Sequence, residues 1–234
     1  MAPKGGLYAC DDPTYWRAVL NLYQEAVAAK AGRRKNLIAL DKWYQEELPT
    51  AVVGRKVKYL TKPELVKLME WKLSRGKFRP RLQQLVATNS DETVEKCTKE
   101  AFQLLPDVAA AVSELSKLKA VGPATASAIL AAGAPEVAPF MADEAAESIP
   151  GLTPIQYTLK HYLLYLDRIR SCVEKLNKAD AATTWTPHGV ELCLWAWAVA
   201  EKLQLPSLQA LGTERAKASS GDQTDEPRKR RKTE

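Results

Sequence analysis

Leu115-Ser-Lys-Leu-Lys-Ala-Val-Gly122-Pro-Ala-Thr-Ala-Ser-Ala-Ile-Leu130 is the stretch on which the reading of the fold turns. Val108, Val112 and Leu115 mark one helix, and Ala126, Ile129 and Leu130 mark the next. Between them, Lys119-Ala-Val-Gly122 leaves room only for a tight hairpin. Such a turn points the unpaired N–H groups of a helix start outward, where they can hold a phosphate oxygen. Ala124, Ala126, Ser127 and Ala128 are small enough to let the two helices approach closely. An ordinary packing unit with no ligand satisfies the same pattern, and local physics does not separate the two.

Outward from this hairpin the pattern is helical. Asp12-Pro13 reads as an N-cap and first helical residue, followed by Trp16, Val19, Leu20, Tyr23 and Val27 on one apolar face. A helix is expected from Asn36 to about Leu48, with Leu37, Leu40 and Tyr44 inward. Thr61-Lys-Pro-Glu64 has capping-box spacing and opens another helix, striped by Leu65, Leu68, Met69 and Leu73 and ending near Ser74-Arg-Gly76. Asn89-Ser90 caps a helix burying Val94, Cys97, Ala101, Phe102 and Leu105. Thr153-Pro154 is expected to open a long helix to about Leu176, and Thr186-Pro187 one that carries Trp195 and Trp197 as packing residues. No period-two segment is long enough for a sheet. The fold class is therefore all-α: one helical body over about residues 7–211, with the hairpin at 107–132.

The chain has 234 residues, enough for a sizeable core without disulfides, and 46% of them are apolar. No apolar run approaches the roughly 20 residues of a membrane span, and the N-terminal residues lack an apolar signal core. The expectation is a soluble intracellular protein. Cys10, Cys97, Cys172 and Cys193 lie far apart, and with only two histidines neither a metal site nor a cofactor is expected.

The net charge is +6, but it is unevenly placed. Residues 55–81 carry ten Lys and Arg against Glu64 and Glu70, a net of +8, which leaves about −2 for the remainder. Lys72, Arg75, Lys77, Arg79 and Arg81, with Tyr59, Trp71 and Phe78 among them, suggest a polyanion-binding face on which rings could stack on bases. A solvated helix with an exposed basic loop is the plainer reading. After Leu211 the chain turns small and charged, so residues 212–234 are expected to be disordered. They end in Arg228-Lys229-Arg230-Arg231-Lys232, a candidate nuclear localisation signal or nucleic-acid arm.

The stretch from Leu118 to Leu130 resembles the helix-hairpin-helix of the base-excision DNA glycosylases. In that superfamily the pattern continues with an apolar-Pro-apolar segment and an aspartate, here Val137-Ala-Pro-Phe-Met-Ala-Asp143. The resemblance covers about residues 107–150. It implies phosphate contact through Lys119, Val121 and Gly122, and a catalytic role for Asp143 in cleaving an N-glycosidic bond. By its residues alone, Asp143 could equally be the N-cap of a helix through Ile149. The first hairpin glycine of the pattern is Ala120 here. The position of a Schiff-base lysine in strand-cutting members is Ala124, so lyase chemistry through residue 124 is excluded, and the four-cysteine cluster of some members is absent. The expected function is a nuclear, monomeric, duplex-DNA-binding protein with monofunctional base removal. The alternatives are a non-catalytic nucleic-acid or chromatin module and a protein–protein adaptor. Trp185, Trp195, Trp197, Tyr157 and Tyr162 are the candidate walls of a base pocket.

Overall fold

The structure is a computed structural model that describes residues 5–32, 36–180 and 184–220, the last five without their side chains. Among the described residues the regular structure is entirely helical. A single 3-10 turn, Leu7–Ala9, precedes α1 (Pro13–Asn21) and α2 (Tyr23–Ala31). Next comes α3 (Leu37–Lys42), which runs through a π turn (Trp43–Glu47) into α4 (Leu48–Gly54). The middle of the chain holds α5 (Lys62–Arg75), α6 (Pro80–Val86), α7 (Asp91–Gln103), α8 (Val108–Leu115) and α9 (Pro123–Gly133). The short α10 (Asp143–Glu147), the long α11 (Leu159–Ala179), α12 (Pro187–Lys202) and α13 (Pro206–Ser220) complete the fold. No described helix is long and apolar enough to cross a membrane, and no described group of His, Cys, Asp and Glu could hold a metal ion.

The helix starts obey local chemistry. Asp12 accepts the N–H groups of Thr14 and Tyr15, Thr61 and Glu64 close a full capping box, and Thr186 accepts from Gly189. The apolar stripe begun by Trp16 and Val19 continues through Tyr23 and Val27, but the helix breaks at Leu22 between α1 and α2. The helix begun at Leu37 continues past Leu48 to Gly54, with Pro49 seated just after the π turn.

Two expectations about elements are corrected. Thr153-Pro154 does not open α11; Thr158 caps it by accepting the His161 N–H, and residues 151–157 form a loop that carries Tyr157 toward Asp143. Residues 212–220, expected within the disordered tail, instead continue α13 to Ser220, and the remainder of that expected tail lies outside the described residues. Arg215 holds α13 against the body by lying over the Tyr15 ring and pairing with Asp12. The basic run Arg228–Lys232 lies outside the described residues.

Buried side chains form one continuous cluster. At its centre α9 is buried on all sides from Ala124 to Gly133, which is why its residues are small. A Cβ on Gly133 would lie 2.5 Å from the Phe102 ring of α7. The tryptophans expected to pack do so: Trp16 meets Trp185 edge to face, and Trp195 and Trp197 are buried. All four cysteines are buried and free.

Candidate nucleic-acid interface and cleft

The turn between α8 and α9 is built as the sequence suggests, with one addition. Ala120 adopts φ 66°, the left-handed conformation for which a glycine is the usual choice. The turn is clamped by Asn89, whose buried side-chain amide accepts the Lys119 N–H at 2.9 Å and donates to the carbonyls of Val86 and Lys119. Ser90, not Asn89, caps α7, so the Asn89 role was hidden behind a capping signal. The N–H groups of Gly122 and Ala124 have no acceptor among the described residues, and Gly122 is exposed. Val121 is different: its side chain is buried and its N–H is spent on the Leu118 carbonyl at 3.1 Å. It therefore anchors the turn and is not a phosphate contact. Lys119 is exposed beside it.

From α9 the chain passes to Asp143 through a loop tied at almost every step. Ser127 Oγ donates to the Ala124 carbonyl and accepts the Met141 N–H. The hydroxyls of Tyr162 and Tyr165 donate to the carbonyls of Pro139 and Phe140, and Arg170 reaches that of Val137. Two helices, α9 and α11, thus fix the approach to Asp143. Asp143 is the first residue of α10, not its cap; Ala142 holds that place and offers no side-chain acceptor. Its carboxylate instead meets Lys77 Nζ at 2.9 Å, and both oxygens lie 2.9 Å from the Tyr157 hydroxyl that donates to them. Glu144, beside it in the cleft lining, pairs with Lys30.

Asp143 lines an open cleft of about 190 Å³ between the start of α9, the end of α5 and the Gly76–Arg79 turn. Gly122 and Ala124 stand on one wall, Lys72, Lys77 and Arg79 on another, with Phe140, Tyr157 and Trp195 as its rings. Arg79 lies over the Tyr157 ring at 5.3 Å. Burial raises the Tyr157 pKa above its ordinary value, and the bond to Asp143 adds to the rise. The same carboxylate raises the pKa of Lys77. Burial lowers that of Lys72; the nearby Asp143 opposes the shift and Arg79 reinforces it. On the far side of Asp143 a wider hollow carries Glu147 and Glu201, so the electropositive approach is from the α5–α6 side.

The basic stretch does not form one continuous face. Arg55 pairs with Glu64, Lys58 donates to the Gly133 carbonyl, and Lys67 lies over the Trp43 ring. Arg75 cannot contact solvent-borne phosphate: it is 1% exposed, paired with Glu191 at 2.9 Å, and 4.2 Å from the Trp195 ring centre. Trp71 is equally removed, stacked on Tyr44 and donating to Asp41, and Tyr59 sits beneath Arg55. What remains exposed at the cleft is Lys77 and Arg79, with Phe78 between them 71% exposed and Arg81 exposed two residues further along the chain. Of the candidate pocket walls, Tyr157 and Trp195 reach the cleft, whereas Trp185, Trp197 and Tyr162 do not line it. No family model matches this chain, and neither a curated protein nor a solved structure does.

Proposed function

We propose that this protein binds duplex DNA through a helix-hairpin-helix and removes a base by hydrolysing its N-glycosidic bond. The observation that carries the reading is a carboxylate, Asp143, in an aromatic-walled cleft whose lining holds both the α9 N-terminus and two exposed cations, Lys77 and Arg79. In this reading the unpaired N–H groups of Gly122 and Ala124, with Lys119, hold one phosphate. Lys77, Arg79 and Arg81 hold others, and Lys77, 64% exposed against 16% for Asp143, swings from the carboxylate to the backbone as DNA arrives. Phe78 enters the stack where a base leaves, and the base stands against Tyr157 and Trp195. Asp143, released by Lys77 but still oriented by Tyr157, stabilises the cationic sugar and directs a water to it. The basic run Arg228–Lys232 would deliver the protein to the nucleus.

The second reading is a non-catalytic nucleic-acid or chromatin-binding module. It is favoured by the contacts that already engage both oxygens of Asp143.

Free-base release from duplexes carrying alkylated, oxidised, deaminated or mismatched bases separates the two. Under the first reading one class is excised, and Asp143→Asn lowers the rate by about 10²-fold or more while DNA affinity holds or rises, since Lys77 is freed. No release from any duplex, with salt-sensitive binding intact, selects the binding module.

A further inference from the structure

The deepest residues of the cleft have no task in hydrolysing the glycosidic bond. Arg75 and Trp195 belong to its lining, yet they are only 1% and 0% exposed. Arg75 Nη1 donates to Glu191 at 2.9 Å, which leaves Nε and Nη2 buried without an acceptor among the described residues. The indole Nε1 of Trp195 is buried and unpaired in the same way. Every buried side-chain polar atom of the lining that lacks a partner among the described residues is therefore a donor. Buried donors are nearly always paired in folded proteins, so three unpaired ones on one cleft point to an acceptor that arrives from outside.

The form of the arginine narrows that ligand. Nε and Nη2 carry parallel N–H bonds along one edge of the planar guanidinium. Glu191 holds Nη1, and the rings of Trp195, Trp71 and Phe140 stand 4.2 to 5.4 Å from the guanidinium carbon. These contacts fix the fork, and an arginine stays protonated at any working pH. Such an edge pairs with two adjacent acceptors, which O6 and N7 of a 6-oxopurine supply. Adenine has an amine in place of O6 and would set donor against donor. Uracil and thymine carry an N–H beside each carbonyl. Cytosine offers O2 and N3, but O2 adjoins the sugar bond, which has to lie at Asp143.

We propose that Arg75 is the specificity residue of the cleft: its Nε and Nη2 donate to N7 and O6 of an extruded 6-oxopurine, a substrate class that rests on the base-removal reading above. Hypoxanthine mispaired with thymine leaves the stack at lower cost than guanine paired with cytosine, so it is the favoured member of the class. Guanine alkylated at N7 or oxidised at C8 is rejected, because its N7 no longer accepts.

The test uses the full chain and duplexes that carry hypoxanthine, 7-deazahypoxanthine or adenine at one position, each opposite an abasic spacer so that no base pair differs between them. A 2′-fluoro sugar at that position resists glycosidic cleavage, so binding is read with the wild-type protein. The hypoxanthine duplex is expected to bind about tenfold or more tighter than the other two. Arg75→Lys keeps a charge beside Glu191 but loses the fork, and should level the three affinities; thermal melting shows whether it is folded. The 7-deaza duplex removes N7 with the protein unchanged, so the outcome does not depend on that variant. Equal wild-type affinity for the three duplexes, or a hypoxanthine preference that survives in folded Arg75→Lys, overturns the proposal. The two readings fail separately. Release of other bases from ordinary duplexes without a hypoxanthine preference keeps the excision step and removes the role of Arg75. A hypoxanthine preference without release of any base keeps Arg75 and removes the hydrolysis.

Discussion

Beneath the cleft, Arg75, Glu191 and His188 form a buried group whose pH response can be worked out from its geometry. Glu191 Oε1 accepts from Arg75, and its Oε2 lies 3.5 Å from His188 Nδ1. The Gln45 amide nitrogen donates to Tyr23, so its oxygen faces His188 Nε2, 3.0 Å away. That fixes the proton on Nε2 and leaves Nδ1 as an acceptor for a protonated Glu191. Burial, opposed by Arg75, pushes the Glu191 carboxyl up to about 7 from 4.5. Burial and Arg75 together push His188 down to about 3 from 6.5. Between pH 5 and 7 the unfolded chain therefore carries one proton on the histidine, and the folded chain carries one on the glutamate. The two slopes cancel, so this pair leaves wild-type stability nearly flat over that range.

Glu191→Gln removes one side of the cancellation while keeping a donor for Nδ1 and an acceptor for Arg75. The histidine contribution then stands alone. Its folded-state pKa lies below the unfolded one, so stability is lost as pH falls below 6.5. From pH 7 to 5 the extra histidine proton of the unfolded chain, integrated over pH, comes to about 1.4 pH units, worth about 2 kcal/mol at 1.36 kcal/mol per unit. Urea unfolding followed by fluorescence of the buried tryptophans, at pH 5, 6 and 7, measures this as a difference between two profiles. All other titrating groups are common to both proteins and drop out. Parallel profiles would refute the assignment of the shared proton.

Replacing Lys77, Arg79 and Arg81 together by Ala should weaken duplex binding for all sequences and lower the salt slope by about 2 to 3; the tail must be deleted in parallel, and an unchanged slope removes the cleft mouth as the phosphate contact. Asn89→Ala strips three hydrogen bonds from a buried amide clamp, so chemical denaturation should register a loss of about 2 to 3 kcal/mol. Ala120→Gly should raise the melting temperature, because relief of about 1 to 2 kcal/mol of left-handed strain exceeds the entropy glycine adds to the unfolded chain, about 0.4 to 1 kcal/mol. A lower melting temperature would mean the turn is not under the strain its φ implies.

What the sequence determined by itself was local. Side chains that cap a helix act within three residues, so Asp12, Thr61, Ser90 and Thr186 declared their helices without any knowledge of the rest of the chain. The stripes of α5, α7 and α8 were legible because apolar periodicity is imposed by the helix itself, and α9 was legible as a run of small apolar residues. The turn at Lys119–Gly122 followed from the short distance between the α8 stripe and that run. The tertiary structure decided the meaning of the charges. Arg75 lies in a run of bases and reads as surface, yet its partner Glu191 stands 116 residues away, and burial depends on that meeting. Lys72, Arg75 and Lys77 are close in sequence and end in three different environments: a desolvated cleft wall, a sealed core and an exposed rim. Asp143 carried a helix-cap signal of its own, but the Tyr157 hydroxyl and Lys77 turned its carboxylate toward the cleft, and Thr158 took the start of α11 that Thr153 had seemed to mark. A side chain's periodicity is set by its own helix, whereas its charge partner is set by whichever segment packs against it, and that choice is made only when the chain closes on itself.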